Sequence, residues 1–444
     1  MAVDLAIKNA KIYLPGGIVE AGLAVDDQRF FKIAKETNLP SASKTINAKG
    51  NIILPGVIDA HVHLRDQGLE YKEDFYTGTC AAASGGVTTV IDMPNNIPVT
   101  MSVEALRGRI KIAEEKSIVN VAFYSALPEN PEEMYDIIKF GAKGFKIFLW
   151  KKIGGADPGD EEALLRYFQM AAKIRTPILI HAEDKFLFES KFEELKRRGR
   201  NDVRAFLEAH SIRSEVKAIR NVIELSRISG AQIHICHVSA GSSLDAISSA
   251  KRDGIKITCE ATPHHLFLSS DEIDRCGFIA LTVPPLRSKH DQRSLWIGVK
   301  SGVVDIIASD HAPHAISEKM RDSVWDVAPG FPGLETMLPL MLTQVNEGNI
   351  SLRSLVRLMS ERPAEIFRIQ ERGSIKEGCL ADFIIVDMKE KWRIDPSSFH
   401  SKAKFSPFKD RIVRGRVVKT FVNGELVMDM NEIVGKPGGG KILS

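Results

Sequence analysis

Between residues 56 and 309 the chain alternates short apolar runs with longer amphipathic segments, whereas both ends alternate apolar and polar residues almost singly. Eight of the central runs have the length and composition of buried strands: "GVIDAHVH", "GVTTVIDM", "IVNVAFYS", "GFKIFLW", "PILIHA", "QIHICHV", "IKITCE" and "VVDIIAS". Between them lie segments whose apolar residues recur at helical spacing, among them "EDFYTGTCAAAS", "SVEALRGRIKIAEE", "DEEALLRYFQMAAKI" and "SEVKAIRNVIELSRI". Eight repeats of strand then helix predict an α/β fold, a (β/α)8 TIM-like barrel with its chemistry at the C-terminal strand ends. A doubly wound open sheet is the competing architecture, but no G-x-G-x-x-G follows the first strand.

The end segments "LAIKNAKIYL", "GLAVDDQRFFKIA", "CLADFIIVD" and "GRVVKTFVNGELVM" predict antiparallel strands, with Asn423-Gly424 as a hairpin turn. Residues 1–55 together with 351–444 are therefore expected to form one small β-sandwich domain from both chain ends, and 56–350 the barrel.

Polar residues at the strand ends suggest the chemistry. His61 and His63 share a side of the first strand because side chains alternate. A lone H-x-H is weak evidence for a metal. The fifth run, however, closes on His181, the sixth on His237 and the eighth on Asp310, each a metal-ligand type at the same topological position. By the same alternation His234, three residues before His237, is expected to face the helix layer and to serve packing only. In the fourth run Lys146 sits among apolar residues, where an ammonium is costly to bury unpaired. A neutral amine there can take up CO₂ to form a carbamate, an anion able to bridge two divalent metals.

Composition narrows the partners. Sixty basic against 57 acidic residues leave a formal charge of +3, no footprint for a polyanion. The basic run "KRRGR" follows "KFEEL" and is expected to be a solvated helix end, so no nucleic acid is anticipated. No run is long and apolar enough for a membrane span, and the first residues lack a signal-peptide pattern. Five cysteines in no disulfide spacing suggest a reduced, cytoplasmic protein.

The motifs "DAHVHLR", "DMPN", "HICHVS", "TCEATPHHL", "SDHAPH" and "PGFPGLETMLPL" resemble those of the dihydroorotases within the amidohydrolase superfamily. The resemblance spans about residues 50 to 345, and "GSIKEGCLADFIIVD" extends it into the terminal domain. It implies reversible interconversion of L-dihydroorotate and N-carbamoyl-L-aspartate, a step of pyrimidine synthesis. It further implies two Zn²⁺ per chain, bridged by carbamylated Lys146 and a hydroxide. His61, His63 and Asp310 would hold one zinc, and His181 and His237 the other. Asp310 would also be the catalytic proton carrier, and Arg65, Asn95 and His314 would hold the carboxylate of a small anionic substrate. The stretch "IFLWKKIGG" lacks the Asp-Asp-Gly of members that replace the carbamate by aspartate.

Two departures matter. Val283 in "TVPPLR" stands where many relatives carry Asn, which removes one side-chain contact to the ring. Cys236, Glu260 and His265 match residue types that animal members use around an additional zinc. Support of the ligands from behind is the alternative reading for these three. A homo-oligomer is expected, and association with aspartate transcarbamoylase stays open. Rival functions are allantoinase, hydantoinase or dihydropyrimidinase, whose substrates lack the ring carboxylate, and an inactive scaffold that has lost metal ligands.

Overall fold

A computed structural model describes residues 2–444. The central region forms a closed parallel barrel whose first four strands are Val57–Val62, Val87–Asp92, Asn120–Phe123 continued by Ser125–Ala126, and Phe145–Phe148. Pro177–His181, Gln232–Ile235, Ile257–Ala261 and Ile306–Ile307 complete it. The third strand is interrupted at Tyr124: its first part pairs with the second strand and its second part with the fourth. A parallel bridge from Val62 to His311 closes the ring, with the His63 N–H donating to the His311 carbonyl at 2.8 Å.

Alternation along the strands creates two cores. Ile147, Ile178, Ile180, Ile233 and Ile235 join the layer shared with the surrounding helices. Ile58, Ala60, Ile91, Ala122, Tyr124, Leu179 and Ile306 fill the barrel interior. The helices start where short polar side chains can take free backbone donors: Asp74 caps Phe75–Ser84, Asp160 caps Glu161–Lys173 and Ser211 caps Ile212–Ser229. Helix Arg362–Phe367 plugs the end of the barrel opposite His61, His63, His181 and His237, its Phe367 ring 5.6 Å from Tyr124 and 5.3 Å from His234. The boundary expected at residue 350 thus precedes segments that pack on the barrel: this helix, and Ile442 and Leu443, which pair with Val121 and set Leu443 beside the same cluster.

Both chain ends build the second unit. Ile52–Pro55 pairs on one side with Val3–Leu14 and on the other with Phe383–Arg393, so N- and C-terminal strands share one hydrogen-bonded path. Val3–Leu14 pairs along the same edge with Ala42–Asn47, which splits the sheet into leaves around Ile7, Leu23, Phe30, Ile53 and Phe421. Phe383 stacks on Phe421 at 4.3 Å between ring centres. The predicted hairpin turn is present, with Asn423 and Gly424 at φ of 51° and 81°, matching the twist of a tight two-residue connection. No helix among the described residues is long and apolar enough to cross a membrane.

A buried polar knot joins the two units. Arg372 pairs with Asp382 and donates to Asn423 Oδ1 at 2.9 Å; Asp382 also accepts from Asn120 Nδ2 at 3.0 Å, on the third barrel strand. Removing one member of a buried pair leaves the other charge uncompensated, at a cost of about 3–5 kcal/mol. Arg372→Met is therefore expected to lower stability by about that amount in urea unfolding. A loss below about 1 kcal/mol would show that the knot does not hold the units together.

Candidate metal centre and active-site cleft

All five strand-end candidates and Lys146 converge at one mouth of the barrel. A cleft of about 180 Å³ is lined there by His61, His63, Arg65, Asn95, Trp150, His181, His237, Thr282, Val283, Asp310 and His314, among others. Three residues reach this mouth through strained backbone: Arg65, His237 and Asp310 have φ of 65°, 35° and 48°. Non-glycine residues rarely adopt such angles, and the cost is sustained where the surrounding structure enforces them.

The kink at His237 also explains a misplaced expectation. Ile233 and Ile235 face the helices, so His234 faces the barrel interior with Cys236, not the helix layer. His237 reaches the cleft only because its backbone breaks the alternation. His234 is bonded on both sides: Nε2 donates to Glu260 at 3.1 Å, and Nδ1 pairs with Thr258 Oγ1 at 2.8 Å.

The hydrogen bonds fix which nitrogens are free. His61 and His63 each bring Nε2 to Asp310 Oδ1, at 3.3 and 3.4 Å. Their Nδ1 atoms are engaged behind, His61 with Glu260 and His63 with Asn95 Oδ1 at 2.7 Å. Both rings therefore present Nε2 lone pairs to one point, and the donor atoms of His61, His63 and Asp310 lie within 4.8 Å of one another. A backing carboxylate or carbonyl is what orients a metal-binding histidine.

The second group is His181, His237 and Lys146. His181 Nε2 donates to Glu183 at 3.0 Å, and His210 Nδ1 donates to the same carboxylate at 3.0 Å. The His181 and His237 rings lie 4.6 Å apart, and His237 Nδ1 is buried without a partner among the described residues. Burial first, then neighbouring charges that include the Lys146 ammonium, hold His237 well below the usual histidine range; His181 is lowered against the pull of Glu183. Both are thus neutral, the state that ligates. Lys146 is fully buried; among the described residues its ammonium meets no carboxylate, and it donates to Cys236 Sγ at 2.9 Å near the Phe148 ring. An orphaned imidazole nitrogen, two converging Nε2 atoms and a buried lysine facing three histidines fit a metal centre.

The three residues with two readings separate. Glu260 is filled by hydrogen bonds from His61 Nδ1, His234 Nε2 and the His237 N–H, so it supports ligands from behind. Cys236 meets Lys146. His265 is not brought to them; it bonds Thr262 Oγ1 at 2.8 Å and the Pro284 carbonyl at 3.2 Å.

The anion side of the cleft is crowded with cations. Lys72 has only donors, so His314 Nδ1, 3.1 Å away, accepts from it and Nε2 carries the proton donated to the Pro329 carbonyl at 3.0 Å. Arg65 Nη2, 3.2 Å from that Nε2, consequently packs on the ring rather than bonding to it. Burial, then Arg65, keeps His314 far below its ordinary pKa, hence neutral. Glu318 is spent on Lys72 at 2.8 Å. Arg65 donates Nε to the Pro313 carbonyl at 3.2 Å and has no ion-pair partner among the described residues.

Comparison with known proteins shows the family. The amidohydrolase family model matches residues 52–427. The chain belongs to the amidohydrolase family. The amidohydrolase is 36% identical to a dihydroorotase of Methanosphaera stadtmanae, over 97% of each chain. It is 33% identical to an L-hydantoinase of Paenarthrobacter aurescens, over 99% of this chain and 98% of that one. The solved L-hydantoinase (dihydropyrimidinase) from Arthrobacter aurescens superposes with a TM-score of 0.95 at 32% identity, over the full length of both.

Sequence reasoning missed Glu183 and His210, although an acid two residues beyond a ligand histidine carries a usable parity signal. It had no means to find His264, whose buried Nε2 is also unpartnered. Glu260 tests the backing role most simply. Glu260→Gln is expected to weaken zinc binding about 10- to 100-fold, measured by competition with a chromophoric chelator. Unchanged affinity would remove Glu260 from the metal centre.

Proposed function

We propose that this amidohydrolase is a dihydroorotase that interconverts L-dihydroorotate and N-carbamoyl-L-aspartate. The observation that carries the reading is Arg65, an unpaired guanidinium in the wall of the cleft two residues beyond His63. A planar fork held beside the metal-ligand histidines suits a carboxylate on the reacting ring. The likeness to dihydroorotases, 36–38% identical over nearly the whole chain, supports the same substrate class.

In this reading His61, His63 and Asp310 would hold one zinc and His181 and His237 a second, and a carbamate on Lys146 would supply an anionic ligand to both. When bound, the two zinc ions would polarise the amide carbonyl and make water a competent nucleophile at neutral pH. Asp310 takes the proton of the attacking water and gives it to the departing ring nitrogen; the reverse reaction retraces that path. Arg65 takes the ring carboxylate, and the Asn95 amide nitrogen assists, its oxygen being committed to His63. His314, with both ring nitrogens engaged, forms the wall against which Arg65 lies. Glu183 and His210 fix the tautomer of His181.

A second reading is hydantoinase activity, favoured by the L-hydantoinase likeness and by apolar Val283 in the cleft wall. Such substrates lack the carboxylate, so Arg65 separates the two. Arg65→Gln is expected to lower kcat/KM for dihydroorotate by roughly 30- to several-thousand-fold, the loss of a charge-assisted pair worth about 2–5 kcal/mol. Metal content, read in parallel, should be unchanged. Full dihydroorotate turnover in the variant, or a wild-type preference for hydantoin or allantoin, would overturn the assignment.

A further inference from the structure

The loop between the fourth strand and helix Glu161–Lys173 carries a cation that the account above leaves without a task. Lys151 lines the cleft together with Arg65, Asn95 and His314. Among the described residues it has no ion pair and no side-chain hydrogen bond; its Nζ rests 4.5 Å above the Trp150 ring. Trp150 is itself held by edge contacts with Phe188 and His210, 5.2 and 5.6 Å between ring centres. The acid on this side of the cleft, Glu318, is already committed to Lys72. Lys151 keeps solvent access at the cleft mouth, where desolvation and after it the Arg65 charge lower its pKa; the two cations line the same cleft. Two like charges face one cleft with no counter-ion, an arrangement relieved when an anion enters between them.

We propose that Lys151 is a second substrate-binding cation, closing from the loop onto the same ring carboxylate that Arg65 holds from the barrel. This rests on the dihydroorotase reading. Because the carboxylate is present in both the cyclic and the open form, the contact strengthens both ground states and the transition state alike.

The test is steady-state kinetics in both directions for wild type, Lys151→Met and Lys151→Arg, each loaded with zinc. Lys151→Met is expected to raise KM for dihydroorotate and for N-carbamoyl-L-aspartate by the same factor, about five- to tenfold, with kcat within about twofold. Lys151→Arg should restore most of the loss, because the charge is kept. Unchanged KM in both directions would overturn the proposal, as would a change confined to N-carbamoyl-L-aspartate, which would place Lys151 on the carboxylate formed by ring opening. A fall in kcat at constant KM would overturn it too. Wild-type enzyme without dihydroorotate turnover would overturn this inference together with the function it rests on.

Discussion

The rest of the structure depends on one uncomfortable group, the Lys146 ammonium. It lies fully buried at the mouth of the barrel, meets no carboxylate, and adds its positive charge to the surroundings of His61, His181 and His237. An isolated cation in such a place costs several kcal/mol unless it is paired or changed chemically. Conversion of the amine to a carbamate by CO₂ would reverse its sign. The neutral imidazoles of His63, His181 and His237 would then face an anion, which is the electrostatic condition for holding divalent metal. The strained residues around it follow the same need: His237 and Asp310 leave the regular strand geometry so that their donors turn toward that point.

The supporting network extends the logic outward. Glu260 and Asn95 receive the rear protons of His61 and His63, and Glu183 receives that of His181. Each therefore decides which imidazole nitrogen faces the cleft. On the far side, charge accumulates in the opposite sense. Among the described residues Arg65 and Lys151 have no counter-ion, and Glu318 is paired with Lys72. With metal held on one wall and unneutralised cations on the other, the cleft would suit a cyclic amide that carries a negative charge.

Much of this was legible in the sequence because a barrel places its chemistry by rule. His61, His63, His181, His237 and Asp310 each follow an apolar run, and ligand type at a repeated topological position is hard to explain otherwise. The hairpin turn at Asn423-Gly424 was legible from its backbone requirement alone. What failed did so for identifiable reasons. His234 was assigned to the helix layer because strict alternation was carried through His237, where a positive φ breaks it. His265 was grouped with Cys236 and Glu260 by residue type, yet the short helix Pro263–Phe267 turns its ring toward Pro284. The Arg362–Phe367 plug was invisible, because nothing in a six-residue helix with four apolar residues reveals which cavity it fills.

The central claim is that Lys146 acts as a carbamate anion between two metals. The direct measurement is carbon-13 NMR of zinc-loaded protein prepared in labelled bicarbonate, with metal content determined on the same sample. The account predicts one protein-bound carbamate carbon and two zinc ions per chain in wild type. Lys146→Ala should lose the carbamate signal and one zinc. Two zinc ions bound with no carbamate carbon in wild type, or retained in full by Lys146→Ala, would contradict it.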